Sequence, residues 1–474
     1  MDRISGLPDE VLVKILSFAP TKVAVSTSIL SKRWEFLWMW LTKLEFGGKL
    51  YSESEFKCFL DRNLSLHRAP VIESFCLKLS NSVLKPEDIR MWVVVVLSRY
   101  VRELEIYSSC YQDKQNILPS SLYTCKSLVI LKLNGGILMD VPRMVCLPSL
   151  KTLVLKGVNY FKQGSLQRLL SNCPVLEDLV VNLCHHDNMG KFIVIVPSLQ
   201  RLSLYIGYKR VLDEFVIDTP SLEYFKLVDR NYDSHPCLIE NMPKLTEAYV
   251  DVRSTDLQSL IGSITSVKRL IISSKAMFGD GYIFNRLERL TLHVLEENPS
   301  NLLSQFLKDS PNLQELEYFS ELDDSYENMR MFPWNQPSIV PECLLSSLQK
   351  FTWSQYLGRT QDRDIAAWLL FLYAGLAMLE NILRAKGSNI RPWWLYHHYC
   401  AMALALVSLT WERKGQPNCV QKQAKRMYVV WGETAGVDGQ LWLLCMLFIL
   451  QVFEAYVGLL LLRKTVTGVV NEWQ

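Results

Sequence analysis

A chain of 474 residues with 51 basic and 48 acidic side chains has room for several domains at about 100–200 residues each. Its net charge of +3 and the lack of a basic stripe give no electrostatic reason to expect nucleic acid as a partner. The 12 cysteines form no C-x-x-C pair and no Cys/His spacing of a tetrahedral zinc site, which suits a reducing compartment and leaves no metal or cofactor to expect.

The first segment, "ISGLPDEVLVKILSFAPTKVAVSTSILSKRWEFLWMWLTKLEF", has acids where an export signal would carry its charged lead and apolar stretch, so no cleavable signal is expected. Pro8 suits a first helical turn, and Asp9 and Glu10 complement the positive helix end. Val11, Leu12, Ile15 and Leu16 give one broad apolar face before Pro20 stops the helix. A second short helix is predicted from Val23 to Ser28, and Ser31 can cap a third with Trp34, Leu37 and Trp38 on one side. Three short helices bury little surface alone, so some of these side chains need a partner.

The order "LPDEVLVKILSF", "SILSKRW", "LW" resembles an F-box over residues 1–45. That resemblance implies docking on S-phase kinase-associated protein, the adaptor that joins F-box proteins to a cullin ubiquitin ligase. Carried over by position, Leu7, Pro8, Val11, Leu12, Ile15 and Leu16 would form the adaptor face, completed by Leu30 and Trp34.

Over residues 70–325 one phrase recurs: "SLVILKL", "SLKTLVL", "VLEDLVV", "SLQRLSL", "SLEYFKL", "KLTEAYV", "SVKRLII", "RLERLTL", "NLQELEY". Its first apolar position falls at Leu128, Leu150, Leu176, Leu199, Leu222, Leu245, Val267, Leu287 and Leu313, within the spacing of leucine-rich repeats. Fainter copies begin at Ile72 and Val101. L-x-x-L-x-L predicts a short strand whose last two apolar residues enter the core while the intervening ones face out. Pro precedes most copies ("LPSL", "CPVL", "VPSL", "TPSL", "MPKL", "SPNL"), where its fixed φ suits a turn. "GSLQRLLSNC" and "NLLSQFLKDS" read as convex-side helices. The expected fold class is therefore an α/β leucine-rich-repeat solenoid with an N-terminal three-helix F-box and a C-terminal helical segment of membrane-spanning length. The pattern resembles the plant F-box and leucine-rich-repeat family.

Stacked strands would offer a continuous concave surface of the kind that binds rather than catalyses. Its outward positions include Arg201, Ser203, Tyr205, Tyr224, Lys226, Glu247, Tyr249, Asp251, Arg269, Arg289, His293, Glu315 and Glu317. Aromatic and Arg side chains anchor interfaces, so Arg201, Tyr205, Tyr224, Lys226, Tyr249, Arg269, Arg289 and His293 are the candidate substrate-binding set, for an unknown protein with an acidic or aromatic element. For any one of them taken alone, an ordinary solvated strand position is the favoured reading.

Residues 326–365, with "FPWNQPSIVPECLLSSLQKFTW", read as a loop and a capping strand. The stretch resembles the start of the FBD domain that follows the repeats in many plant F-box proteins, and "RDIAAW" then departs from it, leaving a partial cap.

Residues 366–474 contain long apolar runs, with candidate spans at about 366–382, 392–411 and 441–462. Arg413, Lys414, Lys422, Lys425 and Arg426 make the connection between the last two the most basic. The positive-inside rule places that loop, and with it the F-box and repeats, on the cytoplasmic side; Arg463 and Lys464 fall opposite. "LRAKGSNIRPWW", "YHHYCAM", "SLTWERKGQPNCVQKQ" and "WGETAGVDGQLWLLC" resemble the TMPIT-like transmembrane family. The family's coiled coil is absent, and a stretch containing membrane sequence is missing where "VQKQ" meets "AKRMYVVW". His397 with His398, and Cys184, His185, His186 and Asp187, read as structural or loop residues rather than metal sites.

Three readings stay open. The chain is an F-box adaptor whose repeats hold a substrate, a membrane protein with a regulatory front end, or a gene-fusion product whose tail has no role. The first implies no catalytic residues and a cytoplasmic or nuclear site if the tail is unused, and a membrane location facing the cytoplasm otherwise.

Overall fold

From Leu150 onward the leucine phrases close on the same turn. The N–H of the first apolar residue returns to the carbonyl three positions back, as in Leu150 to Leu147, Leu176 to Cys173, Leu199 to Val196, Leu222 to Thr219, Leu245 to Met242 and Leu313 to Ser310. Pro thus occupies the second position of a β-turn, where its ring presets φ. The next two N–H groups then share one carbonyl of the preceding repeat, as Lys151 and Thr152 do with Val129. The first apolar residues are 0–1% exposed throughout.

This computed structural model describes residue 4 and residues 6–375 apart from 48–52, 80–83, 109–115, 184–188, 209–211, 232–236, 241, 254–257, 275–278, 280, 296–298, 322–338, 355–362, 370 and 373. Two units divide the chain, Met1–Val267 and Lys268–Gln474.

In the first unit a parallel ladder runs in chain order through Lys43–Gly47 (β1), Ser74–Leu79 (β2), Glu103–Ser108 (β3), Ile130–Gly135 (β4), Thr152–Lys156 (β5), Asp178–Leu183 (β6), Arg201–Ile206 (β7), Tyr224–Asp229 (β8) and Glu247–Val252 (β9). The faint copies at Ile72 and Val101 are thus full rungs. The ladder also begins earlier than residue 70: Leu41, Leu44 and Phe46, all buried, repeat the L-x-x-L-x-L spacing, and β1 pairs with β2 along its whole length. Behind the ladder, helices at Glu53–Leu66, Pro86–Leu97, Ser165–Leu170 and Gln258–Ser263 give way in places to two small parallel sheets. One joins Asn116–Ile117, Ile137–Met139 and Asn159–Tyr160; the other joins Lys191–Ile195, Glu214–Asp218 and Cys237–Ile239. Alternating β-branched and aromatic side chains such as Phe192, Val194, Phe215 and Ile217 suit strands there.

In the second unit Arg269–Ser274 (β10), Arg289–Leu295 (β11), Glu315–Glu321 (β12) and Lys350–Ser354 (β13) pair in parallel. Pro299–Asp309 and Glu342–Ser346 are helical, as are 363–369.

The N-terminal segment forms two α-helices, Asp9–Leu16 (α1) and Thr21–Ser26 (α2), followed by a 3-10 turn at Thr27–Ile29. The expected third helix from Ser31 is instead a run of turns ending in a 3-10 stretch, Leu37–Trp40. A 3-10 stretch advances about 2.0 Å per residue, against about 1.5 Å in an α-helix, so the chain reaches β1 in fewer residues while Trp34, Leu37 and Trp38 stay buried.

Among the described residues no helix is long and apolar enough to cross a membrane. The span expected at 366–382 is described only in part, and those at 392–411 and 441–462 lie outside the described residues, as do Cys184 to Asp187, His397 and His398. Among the described residues no group of His, Cys, Asp and Glu could hold a metal ion.

Candidate functional site

The helical hairpin packs against the start of the ladder rather than hanging from it. The Thr21 hydroxyl on α2 accepts the Glu45 N–H of β1 at 2.7 Å, which covers the ladder's free edge. His67 ties the same region to the next repeat. Its Nε2–H donates to the Leu41 carbonyl at 2.7 Å, and its Nδ1 accepts from Arg99 at 2.9 Å. Burial, more than the nearby Arg99 charge, holds the His67 pKa below its ordinary value, which keeps the ring neutral and able to accept.

On α1 the expected apolar face separates into two stripes. Leu12 is 0% exposed and Leu16 is buried, as is Trp34. Val11 and Ile15 remain 41% and 44% exposed, Leu30 is 66% exposed, Pro8 is exposed and Leu7 is half-buried. Sequence reasoning missed Phe18, 80% exposed, and Ile29, 87% exposed. Val11 and Ile15 lie i, i+4 on α1 and share one side, and Phe18 follows just past the helix's C-cap, Ser17. Arg33 braces the hairpin through Asp9 at 3.0 Å and the Leu7 carbonyl.

The outward face of the first unit's ladder is a grid of side chains three deep. Arg201 sits 3.2 Å from Asp178 and its guanidinium lies 5.1 Å from the Tyr224 ring centre. Lys226 lies 4.5 Å from the Tyr249 ring centre, and Tyr205 is exposed. Asp251 is buried against Arg230 at 3.0 Å. Further along, Lys78 meets Glu45 at 2.6 Å, and Lys132 reaches Glu103 at 3.4 Å and Glu105 at 3.6 Å. Cys76 lies among them with its thiol pushed up to about 11, by burial first and then by Glu105, so it stays protonated at neutral pH. In the second unit Arg269 is exposed, Arg289 pairs with Glu315 at 3.4 Å, and His293 stacks on Phe319 at 4.5 Å with the rings parallel within 1°. The candidate set therefore falls on two units, with Arg201, Tyr205, Tyr224, Lys226 and Tyr249 on the first.

The F-box domain family matches residues 4–46, the family described as "FBD-associated F-box protein At5g56370, LRR repeats" matches 89–318, and the TMEM120A/B family matches 324–437. FBD-associated F-box protein At4g10400 of Arabidopsis thaliana is 76% identical over 394 residues, covering 82% of this chain and 93% of the relative. The chain belongs to the FBD-associated F-box protein family. F-box protein At4g09920 of the same plant is 67% identical, with 72% of this chain and 94% of the relative covered. FBD-associated F-box protein At5g38590, also from that plant, is 54% identical over 78% of this chain and 91% of its own length. The F-box match ends at residue 46, inside β1, so the last F-box residues are also the first rung of the repeats.

Proposed function

We propose that this FBD-associated F-box chain is the substrate-recruiting subunit of a cullin-type (SCF) ubiquitin ligase. It would supply binding, while the cullin machinery supplies the chemistry. The observation that carries this reading is the exposure of five large apolar side chains, Val11, Ile15, Phe18, Ile29 and Leu30, on a hairpin matched by the F-box family. Large apolar side chains exposed so densely on one short segment mark an interaction site, and the S-phase kinase-associated adaptor is the partner an F-box implies. Leu7 and Pro8 would extend that contact. Leu12, Leu16 and Trp34 would serve it only by holding the hairpin's shape. The outward ladder face would take the target protein.

The test is co-purification of the full chain with the adaptor and cullin. Binding is expected for the wild type and lost in an Ile15→Asp, Leu30→Asp double variant with an unchanged unfolding midpoint. Undiminished recovery of the adaptor by that variant would refute the docking face.

The TMEM120A/B match over 324–437 favours a second reading for the tail, in which it attaches the F-box and repeats to the cytoplasmic side of a membrane. Carbonate-resistant membrane association, lost on truncation after Arg359, is the expected result; full extraction of the intact chain by carbonate would exclude it.

A further inference from the structure

The outward face of the first unit's ladder neutralises most of its own charge. Glu45 is matched by Lys78, Glu103 and Glu105 by Lys132, and Asp178 by Arg201. Arg201 is further engaged by Tyr224, and Lys226 is laid on Tyr249. An acidic partner aimed at Arg201 would compete with Asp178 and gain little, because a paired cation offers no new net charge.

Between these two charged groups lies a different surface. Ile130 stands opposite Thr152, and Val154 opposite Val180; Val180 is followed across the ladder by Ser203, and Asn182 by Tyr205. Ile130, Thr152, Val154, Val180 and Ser203 are half-buried and Tyr205 is exposed. Lys132, opposite Val154, and Asp178, opposite Thr152, are already paired with neighbours; the third charge is Lys156. Lys156 pairs in register with Asn134 on one side and Asn182 on the other, is exposed, and makes no ion pair among the described residues. An apolar centre inside a polar rim is the anatomy of a protein-binding face, and a single unmatched lysine within it asks for a single carboxylate.

We infer that the target is held around Val154, Val180 and Lys156 rather than around Arg201, through a segment that places an apolar or aromatic side chain against Val154 and Val180 and one carboxylate against Lys156. This rests on the reading of the ladder face as the target-binding surface and names the chemistry it selects.

The experiment uses the full chain as bait for a random linear peptide library displayed on phage. Wild type is expected to enrich Leu, Phe or Trp next to a single Asp or Glu. Lys156→Glu is expected to exchange that acid for Lys or Arg, and a Val154→Asp, Val180→Asp double variant to weaken the recovered peptides about tenfold or more, or about 1.4 kcal/mol. Selection of acidic runs, the same peptides from wild type and Lys156→Glu, or no enrichment over the double variant would each overturn the inference. Adaptor binding by every variant is measured in parallel: its retention shows folded protein, and its absence in wild type beside the expected peptide selection would refute the ubiquitin-ligase reading alone.

Discussion

Leu12 and Ile15 lie one turn apart on α1, yet truncating them should have opposite consequences. Leu12 is 0% exposed, so Leu12→Ala leaves a cavity in the hairpin and costs about 2–5 kcal/mol, a large part of the roughly 5–15 kcal/mol that holds a domain folded. Ile15 is 44% exposed, so Ile15→Ala removes little packing and should change stability by at most about 0.5 kcal/mol. Docking would cover what remains open. Fully burying an isoleucine is worth about 1.5–3 kcal/mol, and with roughly half of it already covered about 1 kcal/mol is left for the adaptor contact. That corresponds to roughly a fivefold rise in Kd for Ile15→Ala. Urea unfolding reads the first quantity and calorimetric titration with purified adaptor the second. A Leu12→Ala protein of wild-type stability that binds the adaptor weakly would refute the two-stripe description, as would Ile15→Ala that unfolds early and binds normally.

Other expectations rest on equally local geometry. His67 has a folded pKa below its unfolded value because burial disfavours the cation, so its contribution is intact above about pH 6.5 and is lost as pH falls from there toward the folded pKa. The urea midpoint should therefore drop between pH 7.5 and 5.5 in wild type and drop less in His67→Gln. With the Cys76 thiol pushed up to about 11 and Cys58 and Cys146 exposed, iodoacetamide at pH 8 should modify Cys58 and Cys146 first by peptide mass, since only about one Cys76 in a thousand is thiolate. Gly135 adopts φ 88° and an added Cβ would stand 1.5 Å from the Ser108 carbonyl oxygen, so Gly135→Ala should cost about 3 kcal/mol or more in chemical unfolding.

The ladder is legible in the sequence because one leucine at each repeat does two jobs. Leu150, Leu176 and Leu199 each close a proline turn and seal the core beneath it, so their spacing survives although the intervening residues vary. β1 carries the same signature in Leu41, Leu44 and Phe46, but these lie in a segment whose tryptophans and short helices already suggested another domain. The two assignments are compatible in space and only look exclusive along the chain. The adaptor-side residues are harder to read. Val11, Leu12, Ile15 and Leu16 form two neighbouring i, i+4 pairs, and helical periodicity alone treats them as one face. What separates them is the position of Trp34, Leu37 and Trp38, whose burial depends on a 3-10 path that side-chain type does not announce. On the ladder, alternation places Arg201, Tyr224, Lys226 and Tyr249 on the outward side, but it does not foresee that Asp251 is buried against Arg230 or which outward charges are already engaged. Arg201 and Lys226 look like free cations in sequence; their neighbours across the rungs, Asp178, Tyr224 and Tyr249, are more than twenty residues away and become partners only through register. Lys156 looks like any strand lysine until the same register sets it among asparagines. Sequence thus gives the number of positions on this surface, and pairing between repeats decides which charges remain to be answered from outside.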